Sequence, residues 1–165
     1  VKSAADLKAA VADAFRYDRK IMIEKAIVGR EIECAVLERN GAIECSLPGE
    51  IKIDPKFEFY DFEAKYLDGA TTVIAPAQFA DPSAVELIRA TAIEAFKALG
   101  CSGLARVDFF YTPDNQIIIN ELNTMPGFTP SSVYPKLWSV SGLDYTQIIS
   151  ELIETGLRRS NSVIS

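Results

Sequence analysis

Two short stretches hold four side chains that could act together. "LARVDFFY" carries Arg106 and Asp108 at alternate positions, and "QIIINELN" ends in Glu121 and Asn123, again at alternate positions. Both read as β-strands, rich in branched and aromatic residues, with the turn signal "TPDN" between them. Side chains alternate across a strand. Arg106, Asp108 and Phe110 therefore share one face of the first strand, and Glu121 and Asn123 share one face of the second. A hairpin loop with an even number of residues, which "TPDN" permits, would put all four polar residues on one side of the sheet. Two carboxylates and an amide carbonyl are hard oxygen donors. That set suits Mg²⁺ held by one or two carboxylates plus phosphate oxygens and water. Arg106 beside it suits a phosphate or a developing oxyanion. The same spacing also fits a solvated sheet face with a surface salt bridge. "TMPGFTPSS" follows directly, and Gly127 there lets the backbone approach a ligand closely. An ordinary strand-to-helix loop reads the same way.

The elements that must position these groups are legible along the chain. Ser3 to Tyr17 reads as a helix capped by Ser3, with Asp6 at its third position and Leu7, Val11, Ala14 and Phe15 on one face. "RKIMIEKAI" reads as a strand. "REIECAVLERNGAIECSL" reads as a hairpin, with Asn40-Gly41 suited to a two-residue type I′ turn and Ile32, Cys34 and Val36 alternating before it. "GEIKI" adds a further strand. From Asp54 to Asp81 no period is sustained, and a loop of that length in a compact domain is usually functional. Asp81, or Ser83 with Glu86, starts a helix with Pro82 in its first turn; Val85, Ile88, Ala92, Phe96 and Leu99 form its stripe, and Gly100 stops it. Asp144 to Arg159 is a capped helix with Ile148, Ile149, Leu152 and Ile153 inward. The order α-β-β-β-loop-α-β-β-loop-α is an α+β layout with a mostly antiparallel sheet, flanking helices and a long loop.

Composition narrows the chemistry. The 165 residues are 48% hydrophobic, enough for one domain with its own core. A net charge of −6 without a basic patch gives no reason to expect nucleic acid. No histidine is present, which removes a Ser-His triad and a His-ligated zinc. The odd set Cys34, Cys45 and Cys101 lacks metal spacing and reads as reduced thiols in a cytoplasmic protein. No apolar run is long enough to span a bilayer, so no membrane role is expected. The chain starts at Val1 without a methionine, as a piece of a longer protein would.

Four stretches, "IEKAIVGREIECAV", "FYDFEAKYLDGAT", "LGCSGLARVDFFY" and "NELNTMPGFTPSSVYP", occur in an order that resembles the C-terminal half of the D-alanine–D-alanine ligase family, which has the ATP-grasp fold. The resemblance covers most of the chain. It implies that Glu24, Lys25, Ala26 and Ile27 form the segment that reads adenine, partly through backbone groups, and that Glu31 holds the ribose hydroxyls. Phe110 could pack against the base. Lys65 and Tyr66 match the lid that closes over the γ-phosphate and the second substrate. Asp108, Glu121 and Asn123 match ligands for Mg²⁺ (or Mn²⁺). Arg106 and the Gly127 backbone match oxyanion stabilisers, and Ser132, next to Val133, matches the site for the incoming carboxylate.

The activity implied is ATP-dependent joining of two D-alanines through an acyl phosphate, for peptidoglycan and hence cell-wall synthesis. A lid fits that chemistry, because an acyl phosphate must be kept from water. Tyr66 favours an amine over a hydroxyl nucleophile, since depsipeptide-forming relatives differ there. The resemblance further implies a homodimer for the full-length enzyme. Residues 1–165 would then be the C-terminal part of the catalytic domain, without the N-terminal domain and first ATP-grasp subdomain, and inactive alone. Other readings are a different ATP-grasp carboxylate–amine ligase, against which "EAKY" and "NTMPGFT" argue, and a non-catalytic module on the same fold.

Overall fold

The computed structural model describes residues 1, 3–53 and 71–159. Lys65, Tyr66 and the rest of the expected lid between 54 and 70 lie outside the described residues. In chain order the elements are helix α1 (Ala4–Ala14), strands β1 (Arg30–Arg39), β2 (Ala42–Cys45), β3 (Gly49–Ile53) and β4 (Thr71–Ile74), helix α2 (Ser83–Ala98), strands β5 (Leu104–Tyr111) and β6 (Ile117–Asn123), and helices α3 (Val133–Val140) and α4 (Tyr145–Arg158). The α+β class and the antiparallel sheet are as expected.

Strand β1 is the hub of the sheet. Its hairpin to β2 closes through Asn40 and Gly41, at φ 50° and 76°, the left-handed pair a type I′ turn needs. One edge of β1 carries β5 along eight residue pairs. The other edge is shared end to end, with β3 beside Glu31–Glu33 and β2 beside Val36–Arg39. Strand β4 extends the sheet beyond β3, and β6 beyond β5. The alternation of β1 splits the sheet into two faces. Ile32, Cys34 and Val36, with Val107 and Phe109 of β5, face Ile88, Ala92 and Phe96 of α2. Helix α2 is anchored at both ends. At its start Asp81 accepts from the Ser83 N–H and hydroxyl at 2.9 and 2.6 Å. At its end Gly100 takes φ 64°, and the N–H groups of Gly100 and Cys101 reach Lys97 and Phe96 carbonyls at 3.0 Å each.

Several expectations need correction. "RKIMIEKAI" forms no strand; Met22 and Ile23 are 79% and 68% exposed. Apolar alternation does not make a strand unless a neighbour supplies the ladder. Helix α1 buries none of its residues, so its expected apolar face has no cover among the described residues. Ser3 hydrogen-bonds Asp6 Oδ2 at 2.7 Å and makes no side-chain bond to the backbone N–H groups. Within the long aperiodic stretch Thr71–Ile74 forms strand β4, whose residues pair with β3. In the last helix Ile148 is fully buried, whereas Ile153 is 58% exposed. Helix α3 follows a run whose residues predict only a loop. Thr129, Pro130 and Ser131 look like turn formers, but Pro135 falls in the first helical turn, where no intrahelical N–H bond is required.

Candidate active site

On the face away from α2, β1 presents Glu31, Glu33, Ala35 and Leu37 in turn. Their partners on β5 are Phe110, Asp108, Arg106 and Leu104. The apolar end of this row is covered. Ala35 and Leu37 pack with Tyr134, Leu137 and Trp138 of α3 and Ile148 of α4, and the Tyr134 hydroxyl donates to the Val36 carbonyl at 2.8 Å. Burial pushes the Tyr134 phenol well above its ordinary value. The polar end is the candidate site.

Strand β6 completes it, by a route other than loop parity. The connection between β5 and β6 has five residues, and Tyr111 pairs with Ile117, Phe110 with Ile118 and Phe109 with Ile119. That register would turn Glu121 and Asn123 to the α2 face. A bulge between Asp108 and Phe109 leaves Asn120 as an extra residue and restores the alignment, so Glu121 lies opposite Asp108 and Asn123 opposite Arg106. The four residues therefore converge as expected, because the strand is bulged.

Arg106 is the centre of this cluster. Its Nε and Nη2 donate to Asp108 Oδ1 and Oδ2, each at 2.7 Å, a bidentate fork. Its Nε also lies 3.1 Å from Glu33 Oε2. Arg106, Asp108 and Glu33 are only 8%, 8% and 2% exposed. Glu33 was missed in the sequence. Its signal was the acid at every second position of "REIE", hidden by reading β1 through its apolar alternation. Among the described residues, Glu31, Glu33, Asp108 and Glu121 share this half-face with Arg106, so carboxylates outnumber guanidinium. A divalent cation would offset that imbalance. No three Asp, Glu, Cys or His side chains among the described residues converge as an ion-binding group. Two carboxylates and an amide fit Mg²⁺ that keeps water and phosphate oxygens, not a closed protein cage. The Asn123 amide oxygen here accepts from the Met125 N–H at 3.1 Å.

The loop after β6 is tied down. Ser132 Oγ accepts from the Thr129 N–H at 3.0 Å, and the Ser132 N–H donates to the Thr129 carbonyl at 2.9 Å. The Tyr145 hydroxyl holds the Phe128 carbonyl at 2.7 Å. Gly127 is exposed, and a Cβ there would lie 3.1 Å from Ser132 Oγ. Ser132 is also the N-cap residue of α3, so free helix N–H groups lie beside it. At the opposite end, Glu31 and Phe110 are direct partners. Glu24, Lys25 and Ala26 are exposed and Ile27 half-buried, on a segment with no ladder. That segment enters β1 past Gly29, where a Cβ would lie 2.9 Å from the Tyr111 carbonyl oxygen, so only glycine fits.

An antiparallel sheet covered by a helix on one face, with a carboxylate–arginine row on the other, is here the C-terminal subdomain of the ATP-grasp fold. The family described as "D-ala D-ala ligase C-terminus" matches residues 1–154. The D-alanine–D-alanine ligase of Arthrobacter sp. (strain FB24) is 52% identical over 99% of this chain and 44% of its own length. Among solved structures, the D-alanine–D-alanine ligase from Coxiella burnetii superposes with a TM-score of 0.78 at 44% identity, over 95% of this chain and 40% of that one. The D-alanine–D-alanine ligase from Bacillus anthracis complexed with ATP does so with a TM-score of 0.74 at 30% identity, over 96% of this chain and 49% of that one. The chain belongs to the D-alanine–D-alanine ligase family and spans less than half the length of these relatives. No helix among the described residues is long and apolar enough to cross a membrane.

Proposed function

We propose that this chain is the C-terminal part of an ATP-dependent D-alanine–D-alanine ligase that works in the cytoplasm, as a homodimer, on peptidoglycan precursors. The observation that carries this reading is the order of groups along one half-face: Glu31 with Phe110, then Asp108 with Glu121, then Arg106 with Asn123, then the Gly127–Ser132 loop. From Phe110 to Arg106 the strand advances roughly 13 Å at ~3.3 Å per residue. That row is long enough to lay the nucleoside of ATP at one end and its last phosphate at the other. Glu31 would hold the ribose, Phe110 and the segment of Glu24, Lys25, Ala26 and Ile27 the base. Asp108, Glu121 and Asn123 would hold Mg²⁺ (or Mn²⁺), which supplies charge neutralisation on the phosphates.

The residues divide the remaining work. A D-alanine carboxylate oxygen attacks the γ-phosphorus, ADP leaves, and an acyl phosphate forms. The amine of a second D-alanine then attacks the acyl carbon. The tetrahedral intermediate expels phosphate and loses the amine's proton. Arg106 and the Gly127 N–H would stabilise the oxygens that gain charge, and Ser132 with the start of α3 would receive the second carboxylate. Lys65 and Tyr66 take the lid roles that the resemblance gives them. None of this requires histidine, since positioning and charge stabilisation dominate such transfers.

The test is ATP- and D-alanine-dependent phosphate release. The full-length protein should turn over, and the isolated chain of 165 residues should not, because half of the nucleotide cleft and the first substrate's domain would be missing. Turnover by the isolated chain within tenfold of the full-length protein would overturn the division of labour. A full-length protein that releases no phosphate with D-alanine would overturn the ligase reading.

A further inference from the structure

The Arg106 fork has two carboxylates on it, and the proposed chemistry uses only one. Asp108 is given to the cation. Glu33 has no assigned duty, yet it is the more deeply buried of the two, with its side chain 3% exposed against 11% for Asp108. A buried carboxylate is expensive to keep, and apolar groups usually stabilise such a position better. The next residue on the same face of β1 is Ala35, which packs in the apolar cluster, so this strand readily accommodates an apolar side chain. Glu33 is also closely confined. Its β5 partner is Asp108, and its β3 partner is Gly49, where a Cβ would lie 2.5 Å from Leu137 Cδ2. Leu137 of helix α3 thus lies over Gly49, the residue next to Glu33 across the sheet.

Resting on the ligase reading, we infer that Glu33 is a positioning residue: it keeps the Arg106 guanidinium aimed at the reacting phosphoryl and acyl oxygens when the Asp108 carboxylate turns to a divalent cation. The geometry supports a hand-over. Arg106 Nε donates to Asp108 Oδ1 at 2.7 Å, while Glu33 Oε2 lies 3.1 Å from the same nitrogen as an ion pair and takes no hydrogen bond from it, so an acceptor already stands in reach before the first contact is given up. A guanidinium is a rigid planar fork, and holding it by one edge orients its remaining N–H groups. An arginine released by Asp108 and held by nothing else on that edge would lose this aim. Aim counts most where charge develops during the reaction.

The experiment compares wild type, Glu33→Gln and Glu33→Ala in the full-length protein. The glutamine variant keeps the volume and an oxygen acceptor but removes the charge, so it decides the matter if the alanine variant fails to fold. Phosphate release should show kcat reduced about 10- to 30-fold in Glu33→Gln, with KM for ATP within about twofold, the pattern of an interaction made mainly in the transition state. A second readout is thermal stabilisation by MgADP, then by MgADP with aluminium fluoride as a mimic of the transferring phosphoryl group. Wild type should gain a further increment with aluminium fluoride. Glu33→Gln should keep the MgADP increment and lose most of the further one. A purely structural Glu33 would lower every melting temperature alike and leave the further increment intact, which would overturn the inference, as would kcat within twofold of wild type. A wild type without D-alanine-dependent turnover would overturn the ligase reading and this inference with it. A competent wild type with an unaffected Glu33→Gln overturns this inference alone.

Discussion

The two ends of the sheet face opposite α2 are made by the same strands, yet they behave as different materials. At one end Ala35 and Leu37 meet Tyr134, Leu137, Trp138 and Ile148, and the buried polar contacts there are neutral: the Tyr134 hydroxyl donates to the Val36 carbonyl and the Ala35 N–H to the Ser46 hydroxyl. At the other end Glu33, Arg106 and Asp108 are nearly as buried, but they are held by charge. The change occurs between Glu33 and Ala35, neighbours on the same face of one strand. Burial alone therefore does not distinguish core from site. What distinguishes them is whether the buried groups can be replaced by hydrocarbon without loss of work. The dry end should answer in stability and the charged end in turnover.

The largest expected effect is at the charged end. Asp108→Asn in the full-length protein should lower turnover by on the order of 10²-fold or more, the loss of a contact worth ~3 kcal/mol in the transition state. From sequence, relief of repulsion among clustered acids makes this variant neutral or slightly stabilising. The bidentate fork reverses that expectation: the amide forfeits a buried charge-assisted pair, and stability should fall by about 1–3 kcal/mol in a denaturant titration. Unchanged turnover and unchanged magnesium dependence would break the comparison. The dry end is tested with Ile148→Ala, a fully buried side chain on α4. Stability should fall by about 2–4 kcal/mol, while kcat, measured where the variant is folded, stays within about threefold. A kcat loss as large as that of Asp108→Asn would mean the two ends are not separable.

The smallest effect should come from a pair on the other face, which acts as a control. Arg30 forks Glu50 through contacts of 3.1 and 2.8 Å, and this holds the Glu50 carboxyl below its ordinary value of 4.5. A carboxyl whose folded-state pKa is depressed contributes stability above its unfolded value and loses it as pH falls through the folded one. Glu50→Gln should thus cost about 1 kcal/mol near neutral pH and nothing once the wild-type carboxyl is protonated. The acid limb of the stability profile below about pH 4.5 should flatten. Turnover should remain within about twofold.

How much of this was legible in the chain depends on what each feature rests on. The β1–β2 hairpin rests on local chemistry, and Asn40-Gly41 announced it. The convergence of Arg106, Asp108, Glu121 and Asn123 was anticipated, but through a four-residue loop; the loop has five residues and the bulge at Asn120 makes the correction. A bulge has no signature in alternation, since it is the place where alternation stops. Strand β4 and the absence of a strand at "RKIMIEKAI" depend on which neighbour is available, which no local pattern records. Helix α3 was hidden by the turn formers before it and by Pro135. Glu33 was hidden by its apolar neighbours, because a strand with one oily face invites attention to that face only.

The position of β1 also carries a consequence for how the molecule assembles. Its pairing with β2 joins residues a few positions apart, whereas its pairing with β5 joins residues about 70 to 80 positions apart. Closing so long a span carries an entropic cost before any contact offsets it, and distant pairings of this kind set the pace of folding. Asp108 meets Glu121 within the local β5–β6 hairpin, but Glu33 meets Arg106 only across the long closure. The Glu33–Arg106 contact therefore waits on the pairing of β1 with β5, whereas the Arg106–Asp108 fork, two residues apart on one strand, does not. A chain that stalls short of that closure holds the carboxylates of its hairpin without the geometry that gives them work.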